Sequence, residues 1–293
     1  MAEQNEKPLL KLKPATYKGI AMFECEIDDI EKMETREDDI WVCSFPRSGT
    51  TLMQEITYLV QTLDFETARS VQLDSRFPQL EQKNDQFPYY KGVKYVEDMT
   101  SPRFIKCHLH HFMLPVQLQK GKGRIIYIVR NPKDIATSFY RLLRWGGHLK
   151  PEEFGAFVES FVNGTGLFCP WPRHVLEFWE RRNDKNVLFL QYEHVVKDKA
   201  KCIRRVADFL GRTLTDGDVA KICDYCSVEN MKNNPMCNMS YWREYTKVFD
   251  DDGGFINQGK AGAWKDLLTP EMAKKLEKLT DALKGSGLTL LDE

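Results

Sequence analysis

Four short apolar runs stand out from an otherwise mixed chain: Ile40-Trp-Val-Cys-Ser-Phe45, Phe104-Ile-Lys-Cys-His108, Arg124-Ile-Ile-Tyr-Ile-Val129 and Val187-Leu-Phe-Leu-Gln191. Each is too short for a helix and rich in β-branched or aromatic residues, so each predicts a strand. Between and after them, apolar residues recur at helical spacing over Thr51–Leu63, Pro132–Arg144, Pro151–Val162, His174–Arg182 and Lys199–Leu210. Near-continuous apolar strands separated by helices predict a parallel sheet covered on both faces, an α/β fold. Pro270–Leu283 reads as a closing amphipathic helix. No internal repeat, low-complexity block or long linker divides the chain. The expectation is one domain over residues 1–293, with an N-terminal segment 1–37 and a core 38–293.

Composition narrows the function. Lys and Arg total 42 and Asp and Glu total 43, a net charge of −1, which argues against nucleic acid or an anionic membrane as the main partner. A local basic pocket for a small anion is still allowed. Hydrophobic residues make up 42% of the chain, enough for a sizeable core. The polar start Met1–Pro8 lacks the apolar centre of a signal peptide, and no apolar run approaches a bilayer span. The eight cysteines lie scattered, several inside apolar segments, as thiols do in reducing compartments. The expected location is cytoplasmic.

Candidate chemistry collects at the ends of the predicted strands, where α/β sheets bind ligands. The first strand runs into Phe45-Pro-Arg-Ser-Gly-Thr-Thr51 and then a helix. Gly49 permits a tight turn, helix-start amides can hold phosphate oxygens, and Arg47, Ser48, Thr50 and Thr51 add a charge and hydroxyls. This resembles a P-loop without its lysine form; a Ser/Thr-capped helix is the plainer reading. The third strand ends in Arg130-Asn-Pro-Lys-Asp134, with Ser138 one turn on. A cation stands where a nucleotide hydrolase usually offers a metal-binding carboxylate. On the second strand Lys106 and His108 share a face, as an electrophilic helper and a general base would. His110 and His111 lack partners spaced for a metal, so none is expected. Cys223-Asp-Tyr-Cys226 reads as structural, and Lys197–Lys201 with Arg204 and Arg205 as a solvated helix face. Gly259 and Gly262, flanking Lys260, make a loop able to wrap a phosphate.

Together these segments resemble the cytosolic sulfotransferase family along nearly the whole chain. The similarity is carried by Arg47-Ser-Gly-Thr-Thr51, Ser101-Pro-Arg-Phe-Ile-Lys-Cys-His-Leu109, Arg130 through Ser138, Leu190-Gln-Tyr-Glu193, Met231-Lys-Asn-Asn-Pro-Met236 and Gly259-Lys-Ala-Gly-Ala-Trp-Lys265. The resemblance implies a P-loop-like turn holding the phosphosulfate of PAPS (3′-phosphoadenosine 5′-phosphosulfate), with PAP as product and no metal. It implies His108 as general base, Lys106 and Arg47 at the bridging oxygen of the leaving nucleotide, and Ser138 and Arg130 at the 3′-phosphate. The nucleotide-binding set it implies is Arg47, Ser48, Gly49, Thr50, Thr51, Leu52, Arg130, Ser138, Tyr192, Cys226, Val228, Asn257, Gln258, Gly259 and Lys260. Phe23, Phe77, Phe139, Leu142, Tyr241 and Phe249 fall in regions that form the family's apolar acceptor pocket, and core packing explains them equally well. The acceptor expected is a small apolar or aromatic hydroxyl or amine compound.

Departures from the family pattern bear on activity. Arg47 replaces a lysine, Leu52 a tryptophan and Val228 an aromatic residue, so both aromatic faces for adenine are missing. Asn257-Gln258 replaces Arg-Lys near the 3′-phosphate. Leu52 and the Trp-Lys-Asp266 ending resemble the brain-type branch. In the family's dimer motif Lys265 and Thr269 are kept, but Pro270 and Lys274 replace a valine and a glutamate, so a monomer, or a dimer through another surface, is expected. Two further readings stay open: a relative that binds nucleotide or a partner without useful turnover, and a Mg²⁺-dependent nucleotide kinase.

Overall fold

A short hairpin opens the structure, a computed structural model that describes residues 11–85, 87–249 and 254–291. The polar start, residues 1–10, lies outside them. In the hairpin β1 (Pro14–Tyr17) pairs antiparallel with β2 (Ile20–Phe23). Ile20 and Met22 alternate inward, a run too short to read from sequence alone. The four predicted strands form within one residue of their expected ends: β3 (Ile40–Ser44), β4 (Phe104–Cys107), β5 (Arg124–Val129) and β6 (Val187–Gln191). They build one sheet of order β4-β3-β5-β6, with every pair parallel. Leaving β3, the chain crosses to β4 on one side and returns to β5 on the other. That reversal opens a crevice beyond the carboxyl ends of the strands.

Successive residues of each strand feed opposite cores. Trp41, Cys43, Ile125, Tyr127 and Val129 enter one cluster, and Ile40, Val42, Ile126 and Ile128 the other. The helices cover both faces. On the second cluster lie α1 (Thr50–Thr62) and, later in the chain, Lys199–Leu210 and Asp216–Tyr225; α2 (Pro132–Trp145) and α3 (Phe154–Val162) pack on the first. The helix expected at His174 begins three residues earlier as α4 (Trp171–Trp179), because Pro172 in its first turn presets the backbone while lacking an amide that would go unbonded there. Next come α5 (Tyr192–Lys197), α6 (Lys199–Leu210), α7 (Asp216–Tyr225) and α8 (Val228–Asn233). The closing helix, α9 (Pro270–Asp281), starts on a Thr269 side chain that accepts from the Met272 amide, with Pro270 in the first position. Among the described residues no helix is long and apolar enough to cross a membrane.

Candidate active site

The end of β3 turns through Phe45–Gly49 into α1. Arg47 and Gly49 carry the turn, with φ angles of 71° and 101°. Glycine is required at 49 for a second reason: a Cβ there would stand 2.5 Å from Tyr192 Cδ2. The first amides of α1 have no intrahelical acceptor and carry the positive end of the helix dipole. The residues that bear them line a cavity of about 310 Å³.

Positive charge converges on that cavity from three strand ends. Arg47 Nε donates to Ser138 Oγ at 3.0 Å and its terminal nitrogen to the Phe255 carbonyl at 2.9 Å, with the guanidinium 4.8 Å from the Phe255 ring centre. Arg130 lies over the Tyr192 ring at 4.3 Å, donates to the carbonyls of Arg47 and Lys260, and faces Asp134 at 3.6 Å. Its Nε is buried without a partner. Lys106 is half-buried on the lining. Burial, then the neighbouring Arg130, lowers the Arg47 pKa to about 10. Burial lowers that of Lys106 as well, against the opposing pull of Asp74 and Glu81. Like charges held this close out of water favour an anion between them.

His108 completes the set. Its Nδ1 sits 2.8 Å from the Ser44 carbonyl, which can only accept, so Nδ1 carries the proton and Nε2 is bare. Its backbone amide donates to Glu81 Oε1 at 2.9 Å. Burial, then Lys106, pushes its pKa down to about 3, so the ring is neutral at ordinary pH. A neutral imidazole with a free nitrogen on a cation-lined cavity can accept a proton from a bound hydroxyl.

The far wall is the glycine-rich loop. Asp134 accepts from the amides of Gly262 and Trp264, both at 2.9 Å, and so clamps the loop to α2. Asp134 is the only carboxylate lining the cavity among the described residues, and these amides with Arg130 occupy it. Gly259, at φ +63°, has Val228 behind it: a Cβ there would stand 2.2 Å from Val228 Cγ2. Among the described residues no cluster of His, Cys, Asp and Glu could hold a metal ion.

The cavity lining brings together Arg47, Gly49, Thr50, Thr51, Leu52, Lys106, His108, Arg130, Ser138, Tyr192, Cys226, Val228, Asn257, Gln258, Gly259 and Lys260. Ser48 is not on it; its hydroxyl is turned inward and buried without a partner. Of the acceptor candidates, Phe23, Phe139 and Leu142 line the cavity, while Phe77, Tyr241 and Phe249 do not. Phe77 is buried against Phe104, and the Tyr241 hydroxyl is spent on Asp74 at 3.0 Å. Phe249 carries Lys247 over its ring instead. Lys199 departs from the solvated face expected of it: its Nζ donates to the Cys226 carbonyl at 2.6 Å beside the cavity. Sequence reasoning missed Tyr90, Trp145, His148, Phe168, Met239 and Trp242 on the lining. They come from helix ends and loops with no periodicity to mark them. The aromatic content of Ser240–Glu244 was the only signal.

A strand–turn–helix anion cradle, converging cations and a neutral histidine at a sheet's switch point define a nucleotide-dependent group-transfer site. Residues 37–287 match the model of the sulfotransferase domain. The chain is 33% identical to sulfotransferase 1E1 of Cavia porcellus over 94% of its own length and 95% of the relative's. It is 32% identical to Homo sapiens sulfotransferase 4A1, covering 86% and 82%. The crystal structure of retinol dehydratase with androsterone and the inactive cofactor PAP superposes with a TM-score of 0.87 at 30% identity, covering 96% of this chain and 93% of that one. The chain belongs to the sulfotransferase family and is a PAPS-dependent sulfotransferase. Its own features fit such a nucleotide: helix-start amides with no side-chain cap, and the orphaned Arg130 Nε facing no protein acceptor.

Glu193, next to Tyr192, supports this site from behind. It accepts from the Asn131 amide at 2.8 Å, its second oxygen is buried without a partner, and burial pushes its pKa up to about 7 from an ordinary 4.5. A raised carboxyl pKa contributes stability that is complete below about 4.5 and lost as pH rises through about 7. Glu193→Gln keeps the acceptor and cannot ionise. Its melting temperature relative to the parent should therefore rise between pH 5 and pH 8.5, by an amount worth up to about 3 kcal/mol. An identical difference at both pH values would show that Glu193 does not titrate in this window.

Proposed function

We propose that the chain moves the sulfuryl group of PAPS to a hydroxyl or amine of a small apolar or aromatic acceptor, with His108 as general base. PAPS supplies the activated sulfuryl group. His108 Nε2 takes the acceptor proton as the acceptor attacks sulfur and the bond to the bridging oxygen breaks. Lys106 and Arg47 stabilise the charge developing on that oxygen. Arg130, Ser138 and the α1 amides hold the phosphates. Phe23, Phe139, Leu142, Phe168 and Tyr90 offer the acceptor an apolar wall. The observation that carries this reading is the tautomer of His108: a bare Nε2, fixed by the Ser44 carbonyl, in a cavity ringed by cations. Against turnover stand Leu52, Val228, Asn257 and Gln258, which favour a relative that binds nucleotide or a partner without efficient transfer.

Calorimetric titration with PAP in the absence of magnesium tests the donor site, and turnover of PAPS in an acceptor screen separates the two readings. Micromolar or tighter binding is expected, and no binding near millimolar PAP would overturn the donor assignment. His108→Ala should abolish transfer and leave PAP affinity nearly unchanged; near-normal turnover would remove His108 from the mechanism. Leu52→Trp should restore one stacking face and tighten PAP about fivefold, or about 1 kcal/mol. An unchanged affinity would mean that the base does not lie against position 52. The chain is proposed to be a monomer, or a dimer that does not use Lys265 and Thr269. Light scattering at micromolar concentration that finds a dimer lost on changing those two residues would refute this.

A further inference from the structure

Against the His108 backbone lies a second buried histidine that the transfer chemistry leaves unused. His174, on α4, is fully buried, as is Tyr127 of β5. His174 Nε2 sits 3.1 Å from the His108 carbonyl, and the Tyr127 hydroxyl 2.9 Å from His174 Nδ1. A carbonyl can only accept, so Nε2 of His174 carries its proton, Nδ1 is bare, and Tyr127 donates to it. His108 Nδ1–H donates in turn to the Ser44 carbonyl at the mouth of the anion-binding turn. Phe45 packs edge-on against the His174 ring at 5.5 Å, and His110 at 4.7 Å, its own Nε2 committed to the Phe168 carbonyl.

We propose that Tyr127 and His174 are positioning residues that hold the His108 backbone and ring so that Nδ1, and not Nε2, carries the proton. The inference rests on His108 being the base of the transfer reaction. Its physical basis is the alternative tautomer, which would set a bare Nδ1 against the Ser44 carbonyl oxygen and put a proton on the nitrogen facing the acceptor. With Tyr127 in place, His174 has one comfortable tautomer, and the His108 carbonyl is fixed by a donor. Without the hydroxyl, His174 Nδ1 loses its donor, and the ring that donates to the His108 carbonyl is left with one fixing hydrogen bond in place of two. The His108 ring then loses its fixed distance from Ser44.

The test uses the full chain with ¹⁵N-labelled histidine, the parent compared with Tyr127→Phe, His174→Leu and His174→Gln. Long-range ¹H–¹⁵N spectra should show His108 of the parent as the single Nδ1–H tautomer, and a mixture in Tyr127→Phe. The kcat of Tyr127→Phe should fall about tenfold, with acceptor KM and PAP affinity within about twofold of the parent. His174→Gln, whose amide can still donate to the His108 carbonyl, should recover most of what His174→Leu loses. The double variant Tyr127→Phe/His174→Leu should be no worse than His174→Leu alone, since the two act in one line. Tyr127→Phe keeps the ring and its packing, so it remains informative if His174→Leu does not fold. A folded Tyr127→Phe with the parent's His108 spectrum and kcat would overturn the proposal. If the parent transfers no sulfuryl group, the functional reading fails on its own, while a tautomer change in Tyr127→Phe would still support the positioning role.

Discussion

Positive charge gathered in a half-dry crevice is the constraint on which this structure turns. Arg47, Arg130 and Lys106 arrive from three strand ends, and burial pulls Arg47 and Lys106 toward losing their protons. What holds them together is neutral or negative matter placed against each. Ser138, the Phe255 carbonyl and the Phe255 ring hold Arg47; Tyr192 and Asp134 hold Arg130; Asp74 and Glu81 pull on Lys106. Ser138, Phe255, Tyr192 and Asp134 themselves line the cavity beside the cations they hold.

The same arrangement sets the histidine. A ring buried beside Lys106 cannot hold a second proton, so His108 stays neutral, and the Ser44 carbonyl decides which nitrogen is bare. An imidazole with so depressed a pKa is a weak base in the free protein. An anion near Lys106 and Arg47 would offset the two charges that depress it, making the base stronger when the donor is bound. Asp134 shows the complementary economy. In the first turn of α2, both of its oxygens accept from the amides of the glycine-rich loop. The loop is thereby fixed to the helix that carries Ser138.

Most of the sheet and the anion-binding turn were legible because they obey local rules. Unbroken apolar runs mark strands buried on both faces, and Gly49 follows a strand directly ahead of a helix. The strand-end residues Arg47, Lys106, His108 and Arg130 were readable for the same reason, since topology alone sends strand ends to one crevice. The acceptor side was not. Phe77 and Tyr241 have the composition of pocket residues, and which aromatic faces a cavity depends on packing between distant segments. Trp145 and Trp242 show the converse: their rings lie 5.7 Å apart across almost a hundred residues of chain, a pairing no periodicity announces. Lys199 was misread because its carbonyl partner belongs to the end of another helix. His174 carried no signal beyond its place in an apolar stripe.

Leu52 and Val228, both on the cavity lining, are not equivalent. Leu52 is half-buried on the cavity wall. Val228 is different, because the backbone of Gly259 is folded against it so closely that not even a methyl group fits between them. Val228, Gly259 and the Asp134 clamp on the same loop pack as one unit. Asn257 and Gln258 belong to the same segment, beside Phe255, whose ring and carbonyl receive Arg47. Positions 228, 257 and 258 therefore belong to one wall of the cavity, to which Arg47 is joined through Phe255 while its Nε reaches Ser138 on α2.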